Sequence, residues 1–119
     1  MYDAILGKTV TEPYTLHCAG TVFLDMQLYG IASQLLMRCI EVSPHDAAWM
    51  ADTYMNLGVA LRNEAHEDEA LACYRRALEL KPDDPVTWAN MSGVFINYGQ
   101  PQKCIEYADR ALSLDPKHK

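Results

Sequence analysis

The chain has 119 residues, half of them hydrophobic and 22% charged, which suits one ordered domain and excludes a disordered chain or two full domains. A net charge of −6 and a pI near 5.0 argue against a nucleic-acid backbone or an anionic membrane as partner. Four cysteines, Cys18, Cys39, Cys73 and Cys104, stand far apart without a C-x-x-C, so a reducing, cytoplasmic setting is expected rather than a secreted disulfide scaffold.

Residues 1–12 read as an N-terminal extension. Asp3, Gly7, Glu12 and Pro13 interrupt this stretch, so neither an ordinary signal peptide nor a membrane span is expected there. From residue 13 onward the chain repeats itself. Setting 51–84 over 85–118 pairs Thr53 with Thr87, Tyr54 with Trp88, Asn56 with Asn90 and Asn63 with Asn97, with no gap. Arg76 and Arg110, Ala77 and Ala111, Leu78 and Leu112, and Pro82 and Pro116 continue the register. A divergent copy lies upstream at 13–46, where Gly20, Ala32, Cys39 and Pro44 fall in phase with Gly58, Ala70, Ala77 and Pro82. The prolines lie 34 apart between the last two copies but 38 apart between the first two. Residues 47–50 (AAWM) are therefore expected to add one helical turn.

Each copy predicts two helices. In 51–84 the stripe Tyr54, Leu57, Gly58 and Leu61 has the spacing of a half-buried helix, matched by Trp88, Met91, Ser92 and Phe95 in 85–118. A small residue at Gly58 or Ser92 lets a neighbouring helix approach closely. After a loop (NEAHED or NYGQPQ), a second helix packs through Ala70, Tyr74 and Ala77, or through Cys104, Ala108 and Ala111. Pro82 and Pro116 stop helices, because the residue before proline is pushed out of the α region. Asp84-Pro85 and Gln100-Pro101 read as an N-cap followed by proline at the first helical position, with Thr11 or Glu12 before Pro13 in the same role. Glu67, Asp68 and Glu69 open a helix at the end where its dipole favours carboxylates.

The stretch YMNLGVALRNEAHEDEALACYRRALELKPDD resembles the tetratricopeptide repeat, a 34-residue helix-turn-helix unit. The resemblance is specific over 51–118 and weaker over 13–46, where Leu16 holds the place of the motif aromatic. It implies an all-α fold: a right-handed helical solenoid of antiparallel helix pairs, about six helices in all.

No catalytic constellation accompanies the pattern, and no enzyme, metal or cofactor is expected. His45 and His66 fall in predicted loops and His118 at the end, while His17 and Cys18 are sequence neighbours that point apart on a helix. No phosphate-cradling glycine loop, H-E-x-x-H or G-x-S-x-G is present. Cys39, Cys73 and Cys104 fall on the inward side of second helices and read as buried, inert thiols.

A binding surface is better supported. In such a solenoid the first helices line the concave side. Asn56 lies about 150° from the centre of its packing stripe, so it faces this groove, as Asn90 does one repeat later. Met55, Val59, Arg62 and Asn63 share the face, followed by Ala89, Gly93, Ile96 and Asn97. In the first copy the face carries Tyr14, His17, Thr21, Leu24 and Asp25. Asparagine both donates to and accepts from a peptide amide, so a column of them can hold an extended chain.

The pair Asn56 and Asn90 resembles the asparagine ladder of O-GlcNAc transferase tetratricopeptide arrays, shortened here because Cys18 stands in the first copy. Asparagine at this position can equally bond to neighbouring helices and set the superhelix. Asn63 and Asn97 lie near helix ends, where asparagine is well tolerated. The carboxylate clamp of chaperone-binding relatives needs paired lysines and arginines, and this groove offers Arg62, so chaperone tails are not expected ligands.

The expected function is a non-catalytic protein–protein interaction scaffold that binds a peptide in its groove. The alternatives are the substrate-presenting domain of a multidomain enzyme such as a glycosyltransferase, or a small chaperone for secreted proteins. Ile105, Ala108 and Leu112 form an uncovered apolar face on the last helix, which points to a longer array or to self-association through that end.

Overall fold

Prolines and tight turns divide the chain into short helices. The computed structural model describes residues 12–114, which form α1 (Pro13–Asp25), α2 (Tyr29–Val42), α3 (Met50–Asn63), α4 (Glu67–Leu80), α5 (Pro85–Asn97) and α6 (Pro101–Leu114). Pro13, Pro85 and Pro101 each begin a helix, where the missing proline N–H sacrifices no helical hydrogen bond. Asp84 caps α5 as expected: one carboxylate oxygen accepts the Val86 N–H at 3.1 Å and the other the Thr87 hydroxyl at 2.8 Å. Glu12 occupies the cap position of α1 without a side-chain cap bond, and Thr11 and Pro116 lie outside the described residues.

The turn inside every copy has one geometry. Gln27, Ala65 and Gly99 take left-handed φ values of 62°, 66° and 70° at equivalent positions. The next residue donates back to the third-last helical carbonyl: Leu28 to Phe23 at 2.9 Å, His66 to Leu61 at 2.8 Å and Gln100 to Phe95 at 2.8 Å. With Gln27, Ala65 and Gly99 donating to Leu24, Arg62 and Ile96, these are three Schellman caps. Only Gly99 adopts that conformation without a Cβ penalty.

The extra turn expected at 47–50 is not helical. Residues 44–49 form consecutive turns, closed by Ala47 N–H to Pro44 O and Met50 N–H to Ala47 O at 3.1 Å each, and only Met50 belongs to α3. Two anchors account for this path. Pro44 holds Ser43 extended (ψ 147°), and the Trp49 indole N–H donates to the Ser43 hydroxyl at 2.9 Å, folding the segment back on α2.

Helices of one copy pack as antiparallel neighbours, and each second helix packs on the next copy's first helix. Inside a copy the volumes are matched. A Cβ on Gly20 would fall 2.6 Å from Leu36, and one on Gly58 would fall 2.6 Å from Tyr74, so a large side chain fills each glycine's gap. In the last copy the same pair is Ser92 and Ala108. One cluster (Leu36, Leu57, Leu61, Ala70, Leu71, Tyr74, Met91, Val94, Phe95) runs from α2 to α5, and a second (Leu16, Leu35, Cys39) closes the α1–α2 end. Tyr54 and Trp88 are only half-buried, unlike the rest of their predicted stripes apart from Ser92. Each instead lies under an arginine of the same copy, Arg76 at 5.8 Å and Arg110 at 5.5 Å from the ring centre.

The result is an elongated all-α solenoid. Its radius of gyration of 14.8 Å exceeds the roughly 13.5 Å of a compact chain this long.

Candidate binding groove

Consecutive first helices, α1 with α3 and α3 with α5, pack directly against one another, while consecutive second helices make at most marginal contact. The stack therefore bends toward its first helices, which form the inner, concave face.

Three polar contacts cross that face between copies. His17 on α1 meets the Thr53 hydroxyl on α3 at 2.8 Å; because that hydroxyl already donates to Trp49 O at 2.7 Å, the histidine Nδ1–H is the donor. Desolvation lowers the His17 pKa below its usual 6.5, against the pull of Asp52. Asn56 Nδ2 donates to Thr21 Oγ1 at 3.3 Å, and Asn90 Nδ2 donates to Met55 Sδ at 3.3 Å. Asn56 and Asn90 thus each reach the preceding first helix, and both stay half-buried.

The register-equivalent pair Asn63 and Asn97 does not act as a unit. Asn63 Nδ2 bonds back to Val59 O of its own helix at 2.8 Å, whereas Asn97 Nδ2 reaches Glu67 at the start of α4 at 3.3 Å. Beside it the Tyr98 hydroxyl donates to Asp68, whose carboxylate raises the tyrosine pKa to about 12. Met55 and Val59 are half-buried against the main core, while Ala89 and Ile96 are exposed.

Arg62 has the least ordinary surroundings. Its guanidinium lies across the joint on Gly93 of α5, where a Cβ would come within 2.6 Å of Nη2. Beside it the Tyr74 hydroxyl is fully buried and finds no hydrogen bond of good geometry among the described residues. Burial pushes the Tyr74 pKa up to about 12, and the Arg62 charge opposes that rise. The groove list read from the sequence includes Arg62 but not this arrangement. A signal existed in the register, since Gly93 stands where the preceding copy has Val59.

Burial, with Glu69 adding, pushes the Cys73 thiol up to about 11, which disfavours a thiolate. Cys39 is fully buried, Cys104 half-buried and Cys18 exposed. Among the described residues no group of three or more His, Cys, Asp or Glu could hold a metal ion, and no helix is long and apolar enough to cross a membrane.

Two family models described as tetratricopeptide repeat match residues 51–84 and 86–118. The peroxisomal targeting signal receptor of Candida albicans is 27% identical over 97% of this chain, a region amounting to 19% of the receptor. Protein O-mannosyl-transferase TMTC1 of Mus musculus is 27% identical over 91% of this chain and 12% of its own length. The chain therefore spans less than a fifth of these relatives. A crystal structure of MamA shares the fold with a TM-score of 0.76 at 19% identity, over 88% of this chain and 59% of that one.

Proposed function

Because the chain belongs to the tetratricopeptide repeat family, whose arrays are protein-interaction scaffolds, we propose that it holds a peptide segment of a protein partner in the groove of α1, α3 and α5. The composition of that face carries the reading. Tyr14 and Ile96 are 59% and 57% exposed on its two outer helices, and Asn56, Arg62 and Asn90 stand on the same face. Large apolar side chains left in water beside amide groups suit a ligand that brings both backbone and side chains. Backbone hydrogen bonds each contribute about 0.5–1.5 kcal/mol, so affinity beyond the micromolar range requires such apolar anchors. A reducing, cytoplasmic setting suits the four free cysteines.

Affinity capture with mass spectrometry identifies the partner, and titration with wild-type and variant chains locates it. Tyr14→Ser with Ile96→Ser should weaken binding at least tenfold with little change in melting temperature, since both side chains are exposed. Asn56→Ala with Asn90→Ala should also weaken binding. A large fall in melting temperature with affinity intact would instead make the asparagines braces between first helices. Unchanged affinity in both double variants would place the partner off this face.

A second reading rests on the likeness to the mannosyl-transferase. In it the same array presents substrate to a catalytic domain elsewhere in a longer chain. Capture of an acceptor protein that binds the groove and is glycosylated would favour it.

A further inference from the structure

Arg62 is the only lysine or arginine on α1, α3 or α5. The chain has 16 acidic residues to 10 basic ones, so a carboxylate partner would be easy to supply. None is supplied. Among the described residues the charged pairs in contact are Arg76–Glu79 at 2.8 Å and, when the histidine is protonated, His66–Glu69 at 3.9 Å, and neither includes a residue of a first helix. A half-buried guanidinium without a counter-ion is costly, because desolvation is incurred and no attraction offsets it.

The surroundings also seat the group against the next first helix. Gly93 provides a flat floor, with no side chain between the guanidinium and the α5 backbone. Fully buried Tyr74 stands against it, its hydroxyl close to the guanidinium but without a hydrogen bond of good geometry. A planar fork lying on a helix wall can present its free edge to a planar, bidentate anion.

From this geometry we infer that Arg62 is the specificity site of the groove, receiving the side-chain carboxylate of an Asp or Glu within the bound peptide. The inference rests on the groove reading above and names the chemistry its ligand carries. One guanidinium matches one carboxylate; a phosphate would call for further positive charge, and the first helices carry no other lysine or arginine. A chain-terminal carboxylate is typically captured in a nest of free backbone N–H groups. Here the wall around Arg62 and Gly93 is helix interior, whose N–H groups are spent within the helices. Ile96 holds the register of Arg62 one copy later and is exposed, so an apolar residue near the acidic one completes the motif.

The test uses the full chain to select from a phage-displayed library of random peptides. The binders are then resynthesised, each with its acidic residue as Asp or Glu and as the matching Asn or Gln, and with free or amidated C-termini. The expected result is enrichment of one acidic position, with at least a tenfold loss on changing it to the amide. That loss should vanish in Arg62→Gln, and Arg62→Lys should retain only part of the affinity because the charge remains and the fork is gone. Melting temperatures of both variants, and of Tyr74→Phe, show that the array is folded. Peptides that bind the groove with no coupling between their acid and Arg62 overturn this inference and leave the groove reading intact. Loss on C-terminal amidation overturns it in favour of a chain terminus. Failure to select any groove-binding peptide overturns both.

Discussion

The copies at 51–84 and 85–118 share register, helix lengths to within one residue and the same internal turn, yet equivalent side chains live in different surroundings. Leu71 on α4 is 9% exposed, whereas Ile105, its counterpart on α6, is 56% exposed. Tyr74 is fully buried beneath the next copy and Ala108 is half-buried. Local structure in this solenoid therefore belongs to each copy, while burial belongs to the joint between copies. The same substitution should have different consequences on the two sides of α5.

A buried charge gives the sharpest contrast. Ala70→Asp places a carboxylate at a site with no exposure and should cost more than about 3 kcal/mol, melting the array below room temperature in circular dichroism. Cys104→Asp, at the equivalent half-buried position of α6, should leave a folded chain with a lower melting temperature. Equal losses would mean that the last copy is covered as fully as the middle one.

Truncation comes next in size. Leu71→Ala should cost about 2–3 kcal/mol and Ile105→Ala less than about 1, measured as a difference in urea midpoints at constant slope. A large loss at Ile105 would reveal a partner or second copy seated on α6 in solution.

The shared turn allows a comparison in both directions. Ala65→Gly should stabilise by about 1 kcal/mol and Gly99→Ala should destabilise by a similar amount, read by calorimetry, because both positions require left-handed backbone. No atom lies within 4 Å of a Cβ placed on Gly99, so conformation alone is being measured there.

The smallest effect concerns the two inner joints. His17 and Met55 are register equivalents, but only the first titrates. Desolvation lowers the folded-state pKa of His17 below the usual 6.5, so between those two values the unfolded chain binds more protons. Stability should fall slightly as pH drops from 7.5 toward 5.5, level off below the folded pKa, and lose that slope in His17→Met. An unchanged slope in the variant would assign it to other groups.

Much of the fold is legible in the sequence because it is written more than once. A motif that recurs at fixed spacing reveals helix number, order and the inward face, and Ala70, Ala77 and Leu57 are buried where the periodicity places them. Contacts that depend on how copies meet are not written that way. The Trp49–Ser43 bond turned an expected helical turn into a loop, and a non-glycine Schellman cap at Ala65 carries no residue signature. For the groove, the periodicity identifies its face. The reach of Asn56 to Thr21 and of Arg62 over Gly93 depends instead on the offset between first helices, which no single repeat encodes.

The polar bridges between first helices also differ in stiffness. The joint of α1 with α3 is tied by two contacts to hydroxyl oxygens, His17 to Thr53 and Asn56 to Thr21. At the joint of α3 with α5 the corresponding amide, Asn90, finds only the thioether of Met55, a weak and easily displaced acceptor. Under a bending load the inner edge should therefore yield first between α3 and α5. The groove then behaves as a spring with one stiff and one compliant coil, able to widen around a bulky ligand at Arg62 while its first coil keeps its curvature.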